Sequence, residues 1–107
     1  MDDRELLEMA AKAAGYVVRW YDDTLAYGPT FGIEVEPGNP CGFDHWNPLT
    51  DDGDALRLAV KLKLIVEVGS CWLSKYGPVF GEDVLPDPLS ATRRAIVRAA
   101  AQIGRAM

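Results

Sequence analysis

The stretch Trp46-Asn47-Pro48-Leu49-Thr50-Asp51-Asp52-Gly53-Asp54 runs unbroken into Ala55-Leu56-Arg57-Leu58-Ala59-Val60-Lys61-Leu62, and it constrains the fold more than any other part of the chain. Pro48 forces an extended or turn geometry on Asn47. Thr50 is a suitable N-cap, and Asp51, Asp52 and Asp54 place negative charge in or near a first helical turn, where the helix dipole favours it. The apolar spacing beyond them predicts a helix over about 51–63. Leu56, Ala59 and Val60 mark one face, Leu58 and Leu62 extend it, and Arg57 and Lys61 sit outside it.

The flanking segments read as alternating helices and short strands. Asp2 caps a helix over about 3–14, with Glu5 as its capping-box partner and Gly15 as its stop. Tyr16-Val17-Val18-Arg19-Trp20 is β-branched and aromatic, so it is a strand. Thr30 to Glu36 alternates, with Phe31, Ile33 and Val35 on one face and Glu34 and Glu36 on the other. Pro37-Gly38-Asn39-Pro40-Cys41-Gly42, with Phe43-Asp44-His45, is a long loop rich in chain breakers. Leu64 to Val68 and Cys71 to Tyr76 form a hairpin about Gly69-Ser70, and Val79-Phe80 adds a short edge piece. Asp87-Pro88 starts the last helix, whose apolar stripe is Leu89, Thr92, Ala95, Ile96, Ala99 and Ile103. Arg94, Arg98 and Arg105 lie opposite that stripe.

The order is therefore α-β-β-α-β-β-α. Two hairpins are each marginal alone, so the expectation is one α+β domain over residues 1–107 with a four-stranded, mainly antiparallel sheet. Helices on both faces would make it an α/β/α sandwich and would account for the nearly continuous apolar runs at Tyr16–Val18 and Leu64–Val66.

Composition narrows the function classes. No apolar run approaches the roughly 20 residues that span a bilayer, and no basic start precedes an apolar block, so the expected location is the cytoplasm with no membrane partner. Cys41 and Cys71 stand 30 residues apart without paired spacing, so they read as reduced thiols rather than zinc ligands with His45. The Asp51-Asp52-Gly53-Asp54 cluster lacks the alternation of a calcium loop. No serine elbow or phosphate-binding loop is present, and a Cys–His dyad would need the fold to join distant residues. No catalytic residue, metal or cofactor is expected. The first 54 residues carry 12 acids and 3 bases, and the remainder carry 4 acids and 8 bases. That asymmetry serves internal pairing or an acidic face competing for a basic groove. Arg93, Arg94, Arg98 and Arg105 could meet phosphates, yet the net charge of −5 opposes direct nucleic-acid binding.

Three segments resemble the phage ABA-sandwich family. They are Asp2-Arg4-Glu5-Leu6-Leu7 with Ala10-Ala11-Lys12-Ala13-Ala14-Gly15, then Trp46 through Ala59, then Thr92-Arg93-Arg94-Ala95-Ile96-Val97-Arg98-Ala99-Ala100-Ala101. The resemblance implies a helix–sheet–helix sandwich encoded by phages or prophages and carries over no functional residues. The Pro37–Asp44 loop is longer than in typical relatives, and Lys63 stands where relatives tend to have glycine.

The expectation that follows is a non-enzymatic phage accessory protein in the host cytoplasm. It would bind a host protein or nucleoprotein complex, most concretely as an anti-CRISPR-like inhibitor acting by steric block or acidic mimicry. The expected contact residues are Asp22, Asp23, Glu34, Glu36, Asp44 and Trp46. The alternatives are a homodimeric interaction module and a nucleic-acid binder using the arginine helix.

Overall fold

The computed structural model describes residues 2–23, 28–34, 43–73 and 78–107. Three helices carry the core: α1 (Asp3–Ala14), α2 (Asp52–Leu62) and α3 (Pro88–Arg105). Each starts on an aspartate. The side chains of Asp2, Asp51 and Asp87 accept from the N–H groups of Glu5, Asp54 and Ser90, which have no partner inside their helices. The cap of α2 is thus Asp51, one residue beyond the expected Thr50. The Asn47 carbonyl accepts from the N–H groups of both Thr50 and Asp51, so the turn closes before the helix begins.

Gly15 ends α1 in the left-handed region at φ 77, and α2 ends the same way on Lys63 at φ 56. A β-carbon costs about 1 kcal/mol or more in that conformation, and glycine avoids the cost. Lys63→Gly is therefore expected to stabilise the protein by about 1 kcal/mol, seen as a higher urea midpoint with an unchanged slope. An unchanged or lower midpoint would show that the left-handed lysine is not strained.

The core is built on α3, which touches α1, α2 and all three strands of one sheet. Small residues permit this. Ala95, Ala99, Ala100 and Ala101 of α3 share the core with Ala10, Ala11 and Ala14 of α1, and Gly104 lies directly against the backbone of Met9. The buried face of α2 is Ala55, Leu58 and Ala59, with Leu62 packed behind them. Leu56 and Val60, expected on that face, are exposed. The stripe with two alanines lets α2 approach its neighbours more closely than the Leu56–Val60 stripe would.

Among the described residues the strands form two sheets, not one. β1 (Val18–Asp23), β2 (Gly28–Glu34) and β3 (Phe43–His45) make one three-stranded antiparallel sheet in that order. β4 (Ile65–Glu67), β5 (Ser70–Trp72) and β6 (Val79–Gly81) make the other. The expected four-stranded sheet and α/β/α sandwich are not the arrangement of the described residues: the three helices pack on one another. Phe43-Asp44-His45, expected in a loop, is a strand paired with Glu34, Ile33 and Gly32. Trp46, the next residue in the chain, is buried. β4 is an edge strand with Ile65 and Val66 exposed, so its apolar run does not report burial on two faces.

The first sheet is rooted at both ends of its sequence. Tyr16 precedes β1 and Trp46 follows β3, and their rings meet edge-to-face with centroids 5.7 Å apart. The Lys61 ammonium lies 4.4 Å from the centre of the Tyr16 ring, a cation–π contact from α2.

Candidate functional site

The backbone register places the residues expected to contact a partner at two ends of the first sheet. Asp22 and Asp23 pair with Pro29 and Gly28 at the β1–β2 hairpin end, whereas Asp44 pairs with Ile33 and Glu34 with Phe43 at the opposite end of β2. The register also separates them by parity. Asp22 and Asp44 occupy the positions of one face, and Asp23 and Glu34 those of the other. Glu36 lies outside the described residues. Trp46 is 4% exposed and belongs to the core, so the expected surface anchor is a structural residue.

The other chemical candidates are largely absorbed by structure. Asp54 accepts from the Asn47 N–H at 3.0 Å and from Arg57 at 2.8 Å, and its hydrogen bond raises the Arg57 pKa. Asp52 pairs with Arg93, whose Nε also donates to the Leu49 carbonyl at 2.9 Å. These carboxylates and Arg93 therefore lock the turn at 47–52 to α3. Among the described residues no group of metal-ligating side chains comes together. Cys71 is a free thiol with no exposed surface, and burial pushes its pKa up to about 11. Such a thiol is almost wholly protonated at neutral pH and is a poor nucleophile. His45 is exposed, and Cys41 lies outside the described residues.

The arginines divide by role. Arg93 is the clamp just described. Arg94 pairs with Asp3 at 2.9 Å, and Arg98 donates to Glu82 at 2.7 Å and to the Gly81 carbonyl at 3.0 Å. The pairs Asp3–Arg94 and Asp52–Arg93 join the acidic half of the chain to the basic half. Internal pairing thus absorbs part of the charge asymmetry.

Among the exposed apolar residues, one group lies on segments that are tied together by hydrogen bonds. The β4–β5 turn carries Val68, which is 68% exposed, and Gly69 at φ 78. The Gly69 N–H donates to Thr92 Oγ1 at 2.9 Å, and its carbonyl accepts from the Glu82 N–H at 2.9 Å. A β-carbon on Gly69 would lie 2.6 Å from Val84 Cγ2, so only glycine lets the turn and the 82–87 segment meet this closely. The turn, that segment and the start of α3 are thereby tied together. They present Val68, Val84, Leu85 at 79% exposure and Leu89 at 62%. Leu89, expected in the buried stripe, is thus a surface residue, because α3 turns its first apolar position away from the core. Glu67, Asp83 and Asp87 are exposed beside these residues in sequence. The signal in the sequence was the pair Val84-Leu85, apolar residues set between two acids and a proline.

Among the described residues no helix is long and apolar enough to cross a bilayer. No protein-family model, curated protein or solved structure matches the chain.

Proposed function

We propose that this chain is a non-enzymatic phage or prophage accessory protein that binds a host protein, with the Val68–Val84–Leu85–Leu89 patch as its contact surface. In its most concrete form it inhibits a host defence complex by steric block. The observation that carries this reading is the patch. Four large apolar side chains stand exposed on segments tied together by the Gly69 hydrogen bonds to Thr92 Oγ1 and the Glu82 N–H, and exposed apolar surface of this kind is characteristic of interaction sites. The acidic fringe of Glu67, Asp83 and Asp87 selects a partner whose apolar surface is edged with basic residues. The sequence resemblance supports the phage origin. Acidic mimicry by Asp22, Asp23, Glu34 and Asp44 is the weaker version, because the strand register divides those residues between two faces.

The test compares affinity capture from bacterial host lysate by the wild-type chain, by Leu85→Asp/Leu89→Asp and by Glu34→Lys. One protein should be retained by the wild type and by Glu34→Lys, and its recovery should fall at least about tenfold with the patch variant. That factor corresponds to about 1.4 kcal/mol, modest for the loss of two apolar contacts. Retention by the patch variant equal to the wild type would overturn the reading, and loss with Glu34→Lys alone would transfer the function to the first sheet.

The β4 edge favours a second reading, a homodimer. Ile65 and Val66 are exposed on a strand that, among the described residues, is paired on one side only, a template for pairing with a second copy. Sedimentation equilibrium showing only monomer at tens of micromolar would dismiss it.

A further inference from the structure

Between α1, β6 and α3 lies an open cleft of about 490 Å³, lined on its charged side by Arg94, Arg98 and Arg105 and on its apolar side by Leu6, Phe80 and Ala101. We infer that this cleft binds a single carboxylate carried on an apolar group, such as the terminal residue of a peptide or a small carboxylic acid. The inference concerns a different surface from the Leu85 patch and does not depend on the function proposed for that patch.

The spacing of the arginines makes the site. Positions 94, 98 and 105 follow the i, i+4, i+11 stripe of one helix, so three guanidinium groups line the same wall. Two of them are held in place. Arg98 bonds the Gly81 carbonyl and Glu82 through one terminal nitrogen, and its guanidinium carbon stands 5.8 Å from the centre of the Phe80 ring. Arg94 is held by Asp3 through one terminal nitrogen, with Glu82 3.9 Å from its Nε. Each guanidinium has five N–H donors, so both keep donors beyond these contacts. Arg105 makes no hydrogen bond or ion pair among the described residues, and Gln102 adds an amide beside it.

Glu82 shows what chemistry suits the wall. It is a carboxylate of this same chain seated against two of the arginines. A guanidinium matches a carboxylate through two parallel hydrogen bonds, and a planar pair of this kind discriminates by shape as well as charge. The neighbouring Phe80 rewards an apolar group attached to that carboxylate, with Leu6 and Ala101 as a floor that is itself nearly buried. Charge argues against a polyanion. Glu82 sits within the cleft, Asp3 is bound to one of its arginines, and the chain carries a net charge of −5. A phosphodiester backbone would meet these acids at close range, whereas one carboxylate needs only Arg98, Arg105 and Gln102.

The experiment is a titration of the ¹⁵N-labelled full chain, following the arginine Nε and Gln102 amide signals. The probes are N-acetylphenylalanine, N-acetylphenylalaninamide, hexanoate and inorganic phosphate. N-Acetylphenylalanine is expected to give saturable shifts at Arg98, Gln102 and Arg105, with binding at least about tenfold weaker for the amide. Binding of hexanoate as tight as that of N-acetylphenylalanine assigns a free carboxylic acid, and tenfold preference for the acetylated residue assigns a chain terminus. Arg105→Gln, at an exposed position outside the internal pairs, should weaken binding about tenfold while leaving the spectrum of the core unchanged. Absence of saturable shifts up to about 10 mM, equal binding of the amide, or tighter binding of phosphate would overturn the inference.

Discussion

Gly104→Ala is expected to destabilise the protein by roughly 3 kcal/mol or more, although it adds a single methyl group. The β-carbon would fall 1.9 Å from the Met9 carbonyl oxygen, 2.8 Å from its carbonyl carbon and 3.2 Å from its Cα. All three atoms are backbone, so no side-chain rotation relieves the clash. α1 would have to retreat by about 1 Å or more to restore van der Waals contact. That movement would open the interface where Leu6, Leu7, Ala10, Ala11 and Ala14 are buried. Overpacking of a tight core typically costs 1–3 kcal/mol, and rigid backbone on one side places this substitution at or above the top of that range. A domain of this size has about 5–15 kcal/mol in total, so the loss would be obvious in a urea melt. Gln102→Ala on the same helix is the control, since it is exposed and should change stability by no more than about 0.5 kcal/mol. If both variants melt together, α1 and α3 do not approach as closely as described.

The second large effect is expected from Trp46→Ala, at about 3–5 kcal/mol, the usual range for emptying a buried tryptophan site. The ring is 4% exposed and meets Tyr16 edge-to-face at 5.7 Å. Its role extends beyond packing. Tyr16 and Trp46 stand immediately outside β1 and β3, so their contact closes the base of the first sheet. Trp46→Ala should therefore lower hydrogen-exchange protection in Val18–Asp23 and Gly28–Glu34 more than in α1 or α3. Trp46→Phe keeps an aromatic partner for Tyr16 and should cost less than half as much. A loss below about 1 kcal/mol with uniform exchange would show that the aromatic pair does not fasten the sheet.

The local features of this fold were legible because they are local. Asp2, Gly15, Asp87 and Pro88 mark helix ends through hydrogen bonds and backbone preferences spanning only a few residues, and three of the strands declared themselves by β-branched runs. Choices depending on distant partners were not legible. Leu56–Val60 and Ala55–Leu58–Ala59 are competing stripes on one helix, and only the close approach of α3 decides between them. β3 has no strong strand propensity, and its partner, β2, lies across a long breaker-rich segment. The division into two sheets is likewise a matter of strand partners chosen across the chain. For function, the arginine stripe was visible at its helical spacing. Its meeting with Phe80 and Glu82 was not, because those residues arrive from another element. The proposed contact surface, Val68, Val84, Leu85 and Leu89, lies apart from the expected Asp22, Asp23, Glu34, Asp44 and Trp46. Alternation assigns acids to a face without revealing that register splits them, and burial removed Trp46 from the surface.

The central claim is that the surface around Leu85 is where a host protein docks, and site-specific photo-crosslinking tests it most directly. A photoreactive residue is placed at Leu85 in one preparation and at Leu56, also well exposed but on α2, in another. After illumination in host extract, Leu85 should yield one dominant adduct with a protein other than this chain. Excess unlabelled wild type should compete it away, and Leu56 should yield none. The same adducts from both positions, or only a self-adduct from Leu85, would contradict the account.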